Sequence, residues 1–128
     1  MRGNGGCMCG AVRYAFDPEA VLRQGLCHCE DCRRATASPV TAFVMVRETA
    51  LRWTRGAPRL RESSPGVTRG HCAACGTPLL YASPGQPGEA HLYAATLDAP
   101  EEAAPDRHWF WSERLPWLDI EDDRPKEG

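Results

Sequence analysis

Seven cysteines in a chain of 128 residues fall into three tight groups. They are Cys7-Met8-Cys9, then Cys27-His28-Cys29-Glu30-Asp31-Cys32, then Cys72-Ala73-Ala74-Cys75-Gly76. Two, three and two sulfurs divide into one set of four and one set of three. A structural zinc site uses four protein ligands in a closed tetrahedron, whereas a catalytic zinc keeps three and leaves one position open. The pattern predicts two zinc ions per chain in different roles, and a fold whose turns are stitched by metal.

The length suits one domain, read here as 1–120 with a polar, mobile C-terminal tail at 121–128. The formal net charge of −2 is uninformative, but its distribution is not. Between Arg33 and Arg69 eight arginines face two glutamates, and between Asp98 and Gly128 ten acids face four bases. A basic middle and an acidic end read as complementary solvated faces, or as an anion-attracting surface beside the second cysteine group. Residues 1–10 lack the apolar stretch of a signal peptide, and no apolar run approaches the ~20 residues of a membrane span. Closely spaced thiols outside a complete disulfide pattern fit a reducing compartment, so a cytoplasmic location without membrane attachment is expected. The sequence makes no statement on oligomeric state.

Eleven prolines and twelve glycines cut the chain into short pieces. Strands are expected at 12–16, 40–46, 51–54, 59–62, 68–72, 79–81, 91–96 and 107–112, with 40–46 central because it is β-branched and nearly all apolar. Short helical turns are expected at 18–22 and 29–37, the second opening on Glu30 and Asp31, and a turn with an early proline at Pro100. Ser83 to Gly88 reads as a loop between two strands. The fold class is mainly β, with short antiparallel strands and few short helices.

The pair Cys72 and Cys75 has the spacing of a zinc knuckle, and Gly76 tolerates the turn that follows. Its natural partner is Cys7 with Cys9. Joining them closes a loop of roughly 60 residues, which costs about 4 kcal/mol, against ~10–16 kcal/mol returned by a structural zinc site. Cys27, Cys29 and Cys32 then form a three-thiolate site with a fourth position open to water or substrate. His28 sits between two ligands, where an extended turn points its side chain away from the metal. His71, His91, His108, Glu30 and Asp31 are other sources of a fourth ligand. A thiol entering the open position would be held as thiolate, and its attack on an aldehyde would give a hemithioacetal. A small thiol such as glutathione carries carboxylates, and Arg33 and Arg34, directly after Cys32, are candidates to bind them.

The three motifs, 5–14, 27–36 and 72–79, together with Ala95-Thr96-Leu97-Asp98 and Leu115-Pro116-Trp117-Leu118, resemble the glutathione-dependent formaldehyde-activating enzyme family, a superfamily that includes centromere protein V. The resemblance runs from about residue 5 to residue 117. It implies a β-tent fold, a structural zinc on Cys7, Cys9, Cys72 and Cys75, and a catalytic zinc on Cys27, Cys29 and Cys32. It also implies a carbon–sulfur lyase that forms S-hydroxymethylglutathione from formaldehyde and glutathione. Three departures stand out. Ala37 occupies a position where relatives often have glycine, His71 stands where an aromatic is common, and 107–111 is rich in tryptophan, its rings expected in the core with one a candidate wall of the substrate pocket. The competing readings are a non-catalytic zinc module that binds protein or nucleic acid, and a thiol redox sensor. Near-neutral charge and a single lysine argue against nucleic acid.

Overall fold

The computed structural model describes residues 1–128 and folds them into ten strands, one α-helix and five single turns of 3-10 helix. A small antiparallel sheet holds β1 (Asn4–Gly6), β2 (Arg13–Phe16) and β5 (Leu51–Arg55) in the order β1-β2-β5. The large sheet holds β3 (Val21–Cys27), β4 (Thr41–Arg47), β6 (Arg59–Ser64), β7 (Val67–His71), β8 (Pro78–Ala82), β9 (Glu89–Tyr93) and β10 (His108–Trp109). Its order is β10-β3-β4-β9-β8-β7-β6, antiparallel throughout except for the parallel β10–β3 pair. The mainly-β expectation holds. No helix is long and apolar enough to cross a membrane.

The apolar run at 40–46 is the interior strand that its composition implies, and both of its faces are covered. Alternation sends Val44 and Val46 to one side, where they join Tyr14, Phe16, Leu79 and Leu92 in the main core between the sheets. Phe43 and Met45 point to the other side and pack with Cys27, Cys32 and Tyr93. One strand therefore builds the core with one face and floors a cysteine site with the other.

Helix α1 spans Glu30–Thr36, with Cys29 as its N-cap and Glu30 and Asp31 in its first turn, as the sequence suggests. The turn expected at 18–22 is a 3-10 turn at Pro18–Ala20. The sequence reading has no strand at 21–27, yet β3 lies there. Arg23, Gln24 and Gly25 obscure its alternation. Arg23 pairs with Glu89 across the sheet, and a Cβ on Gly25 would stand 2.8 Å from the Trp109 ring. Strand β1 was also unread, since Asn4-Gly5-Gly6 carries almost no side chain; Gly5 bridges Leu97. The strand expected at 91–96 is β9 followed by a 3-10 turn at Ala94–Thr96, and 107–112 is two strand residues followed by a 3-10 turn at Trp111–Glu113.

Residues 122–127 are tied down despite their polarity. The His108 N–H donates to Pro125 O at 2.8 Å, the Glu127 N–H to His108 O at 2.8 Å, and the Trp111 N–H to Glu127 O at 2.9 Å. The Asp122 carboxylate accepts from His108 and Arg124 and faces the Lys126 ammonium at 3.6 Å. These mutual contacts, with little apolar burial, lay the polar tail as a strap along β10.

Two substitutions test this architecture. A Cβ at Gly5 would lie 2.4 Å from Thr96 O and 2.5 Å from Tyr14 Oη, so Gly5→Ala is expected to lose about 1–3 kcal/mol in denaturant unfolding. Ala37 closes α1 in the left-handed region at φ 57°, so Ala37→Gly is expected to raise stability by about 1 kcal/mol in the same measurement.

Candidate functional site

Both cysteine sets converge. The sulfurs of Cys7, Cys9, Cys72 and Cys75 lie within 4.8 Å of one another, as do those of Cys27, Cys29 and Cys32. In the set of four, Cys7 Sγ to Cys9 Sγ is 3.6 Å and Cys9 Sγ to Cys72 Sγ is 3.8 Å. Four sulfurs at a Zn–S distance of ~2.3 Å would stand about 3.8 Å apart, so the donors fit a tetrahedral zinc ion. All ligands are thiols, a set that selects zinc or another soft metal over calcium or magnesium.

Backbone amides prepare both clusters. The Cys75 N–H donates to Cys72 Sγ at 3.4 Å, the Cys32 N–H to Cys29 Sγ at 3.3 Å, and the Val12 N–H to Cys7 Sγ at 3.3 Å. Each CxxC turn thus aims its last amide at its first sulfur, which favours the thiolate. Thr77, unremarked in the sequence, joins the two pairs of the closed set. Its Oγ1 accepts from the Met8 N–H at 3.1 Å and lies 3.1 Å from Cys75 Sγ, drawing that thiol down to about 5. In the set of three, hydrogen bonds from Cys27 and then Cys32 hold the Cys29 thiol well below its ordinary range, while Cys27 is pushed up by Cys29, Cys32 and burial.

The surroundings of the two clusters differ. A cavity of about 960 Å³ is lined by Cys27, Cys29 and Cys32, and by none of the other four cysteines. Phe43, Met45, Tyr81 and Trp109 form its apolar wall, and Arg23, Arg34, Arg61 and Arg69 bring four guanidinium groups to it. Strand register explains three of these arginines, and α1 supplies Arg34. Arg23 pairs with Met45, Met45 with His91, His91 with Tyr81, Tyr81 with Arg69, and Arg69 with Arg61. Residues directly opposite across a sheet share a face, so six strands contribute one row to the cavity floor.

Arg69 is the functional residue that the sequence reading missed. It is only 6% exposed. One guanidinium nitrogen donates to Tyr93 Oη at 3.1 Å, another lies 3.8 Å from Cys32 Sγ, and the group stacks 4.8 Å above the Tyr81 ring. Burial works against its charge, but Cys32 and Tyr93 more than offset this and raise its pKa. Thirty-seven residues separate it from Cys32, and only the register brings them together.

The two expected arginines part company. Arg34 lies on the cavity wall, whereas Arg33 is not among the lining residues and its Nε is buried without a partner. Successive helical residues stand about 100° apart, and that step takes Arg33 off the lining while Arg34 joins it. Neither Arg34 nor Arg61 makes an ion pair; Arg23 is engaged by Glu89. His28 is buried and turned to His108, outside the sulfur cluster. His71, His91 and His108 also stay outside the cluster, as do Glu30 and Asp31, although His91, Glu30 and Asp31 line the cavity. Trp109 walls the cavity, so the tryptophan-rich segment is not all core.

The sequence profile of the family described as "Glutathione-dependent formaldehyde-activating enzyme" matches residues 2–113. A Halomonas elongata protein named "Putative glutathione-dependent formaldehyde-activating enzyme" is 26% identical over 126 residues, covering 91% of this chain and 80% of that protein. A Rhodobacter sphaeroides protein of known crystal structure superposes with a TM-score of 0.65 at 22% identity, over 83% of this chain and 98% of that one, a likeness of fold. Matched along nearly its whole length, with all seven cysteines inside the matched span, the chain belongs to the glutathione-dependent formaldehyde-activating enzyme family.

Proposed function

We propose that this protein is a zinc-dependent carbon–sulfur lyase acting on a thiol–aldehyde adduct, with glutathione and formaldehyde as its substrates. One observation carries the reading. Of two thiol clusters, the one with three ligands opens onto a large cavity with an apolar wall and cationic groups, and the one with four does not. Cys7, Cys9, Cys72 and Cys75 would hold a structural zinc, and Cys27, Cys29 and Cys32 a catalytic one. When bound by three thiolates, zinc supplies a fourth position that keeps a thiol ionised and polarises a carbonyl.

The chain's own residues supply binding and exclusion of water. Arg34 and Arg61 carry free guanidinium groups at the cavity wall and would take the two carboxylates of glutathione, a geometry that suits arginine better than lysine. Phe43, Met45, Tyr81 and Trp109 would dry the space between them and the sulfurs, where electrostatic attraction strengthens. Arg69, held by Tyr93 and Tyr81, keeps a fixed positive charge beside Cys32 and offsets the negative charge that three thiolates gather. In the reaction the glutathione sulfur forms a bond to the aldehyde carbon, the carbonyl π pair moves to oxygen, and the proton lost by the thiol ends on that oxygen. The reverse sequence releases thiol and aldehyde.

Cysteine substitutions should separate the two clusters. Cys29→Ala is expected to retain one zinc by elemental analysis and to lose all rate enhancement of adduct exchange, followed by NMR magnetisation transfer above the uncatalysed background. Cys72→Ala should lose zinc from the closed site and aggregate. Full exchange activity in Cys29→Ala would overturn the lyase reading.

Arginine substitutions test the carrier site. Arg34→Ala and Arg61→Ala are each expected to raise KM for glutathione roughly fivefold, about 1 kcal/mol for a solvent-accessible ion pair, with kcat and zinc content unchanged. An unchanged KM in both would remove them from the carrier site.

A further inference from the structure

Behind the three-thiol cluster, on the side away from the cavity, lies a chain of three buried polar side chains. His28 stands between Cys27 and Cys29 and is 1% exposed. Its Nε2 lies 2.8 Å from His108 Nδ1, and His108 Nε2 lies 3.0 Å from Asp122 Oδ2. His108 is fully buried, and the Asp122 side chain is 7% exposed. The two imidazoles stack at 5.0 Å, and Trp111 packs edge-on against both, at 5.2 and 4.8 Å. None of these residues lines the cavity.

The backbone follows the same route. The His28 N–H donates to Trp109 O at 3.0 Å, which fixes the peptide between the two cysteines to β10. Strand β10 is in turn held by the strap at Pro125 and Glu127. The side-chain bonds add a direction. Asp122 is kept ionised: burial opposes this, but hydrogen bonds from Arg124 and His108 draw its pKa well below the usual carboxylate range. An ionised carboxylate only accepts, so His108 Nε2 carries a proton towards it. One proton then links His108 Nδ1 and His28 Nε2 across 2.8 Å. His28 Nδ1 is left buried with no partner, so the ring's only polar tether runs through His108 to Asp122. Without the carboxylate, packing against Trp111 remains, but the hydrogen bond that orients His108 towards His28 is lost.

We propose that Asp122, acting through His108 and His28, is a positioning residue for the three-thiol cluster, so that the C-terminal strap is part of the site. The chain fixes the Cys27-His28-Cys29 turn in the conformation that sets two of its sulfurs beside Cys32. Asp122 lies beyond residue 113, where the match to the family ends, and belongs to a segment whose composition reads as tail. The proposal rests on the metal-binding reading of Cys27, Cys29 and Cys32.

A strap that only stabilised the fold would weaken both metal sites alike or neither; a positioning chain acts on one. The test is titration of the metal-free protein with cobalt(II), read by the thiolate-to-cobalt charge-transfer absorption, for wild type, Asp122→Ala and the isosteric Asp122→Asn. Circular dichroism confirms that each variant is folded, and Asp122→Asn keeps the test valid should Asp122→Ala fail to fold. Wild type is expected to take up two ions. The variants should bind the first with wild-type affinity and the second at least about 10-fold more weakly, the effect typical of losing a partner behind a metal site. Two ions bound by the variants with wild-type affinities, or both affinities falling together, would overturn the proposal. A single cobalt bound by wild type would instead overturn the metal reading of the three-thiol cluster, and the proposal with it.

Discussion

The convergence of Cys7 and Cys9 with Cys72 and Cys75 is the constraint on which the rest of the structure depends. It joins the first ten residues to the turn between β7 and β8, across a sequence separation of 63 residues between Cys9 and Cys72. Closing that interval costs about 4 kcal/mol of chain entropy. The small sheet leads out of the first pair, so the cluster sets where Tyr14 and Phe16 meet Leu79 and Leu92. Cys7 and Cys72 are themselves members of that core. With the small sheet held over one face of β4, the opposite face is left for Phe43 and Met45 to present beside Cys27 and Cys32.

Identical ligand chemistry therefore yields two sites of different character, and the surroundings decide which is which. Thr77 and the amides of Val12 and Cys75 finish the closed site with neutral donors. At the open site a buried guanidinium faces the sulfurs on the cavity side, and two imidazoles hold the loop from behind. The first set borders no part of the large cavity, whereas the second adjoins its roughly 960 Å³ of space.

Features carried by short range were legible in the sequence. Both CxxC turns, the acidic first turn of α1 and the central strand follow from spacing over a few residues, and the partition of seven cysteines follows from their count. What the sequence did not disclose depends on partners far along the chain. Arg69 becomes a site residue because β7, β8, β9 and β4 align it with the floor beneath Cys32. Strand β3 was hidden because Arg23 serves a cross-sheet ion pair with Glu89, which breaks the alternation that marks a strand. The strap was hidden for the opposite reason. Its residues bury little apolar surface, and its attachment comes from His108 and from the neighbouring charges of Arg124 and Lys126.

The choice of arginine over lysine at the cavity has a physical basis that ties the wall to the chemistry. An ammonium at the position of Arg69, 6% exposed, would tend to lose its proton, whereas a guanidinium remains charged under the same burial. Its planar group also satisfies Tyr93, Cys32 and the Tyr81 face together, which a point charge cannot do. A neutral amine would add a second liability, because it is a nucleophile that adds to aldehydes as a thiolate does. The chain carries a single lysine, Lys126, and places it in the strap against Asp122 and the Trp111 ring, outside the cavity lining. Under the proposed chemistry, a wall whose cations are all guanidinium groups leaves sulfur as the nucleophile at the carbonyl.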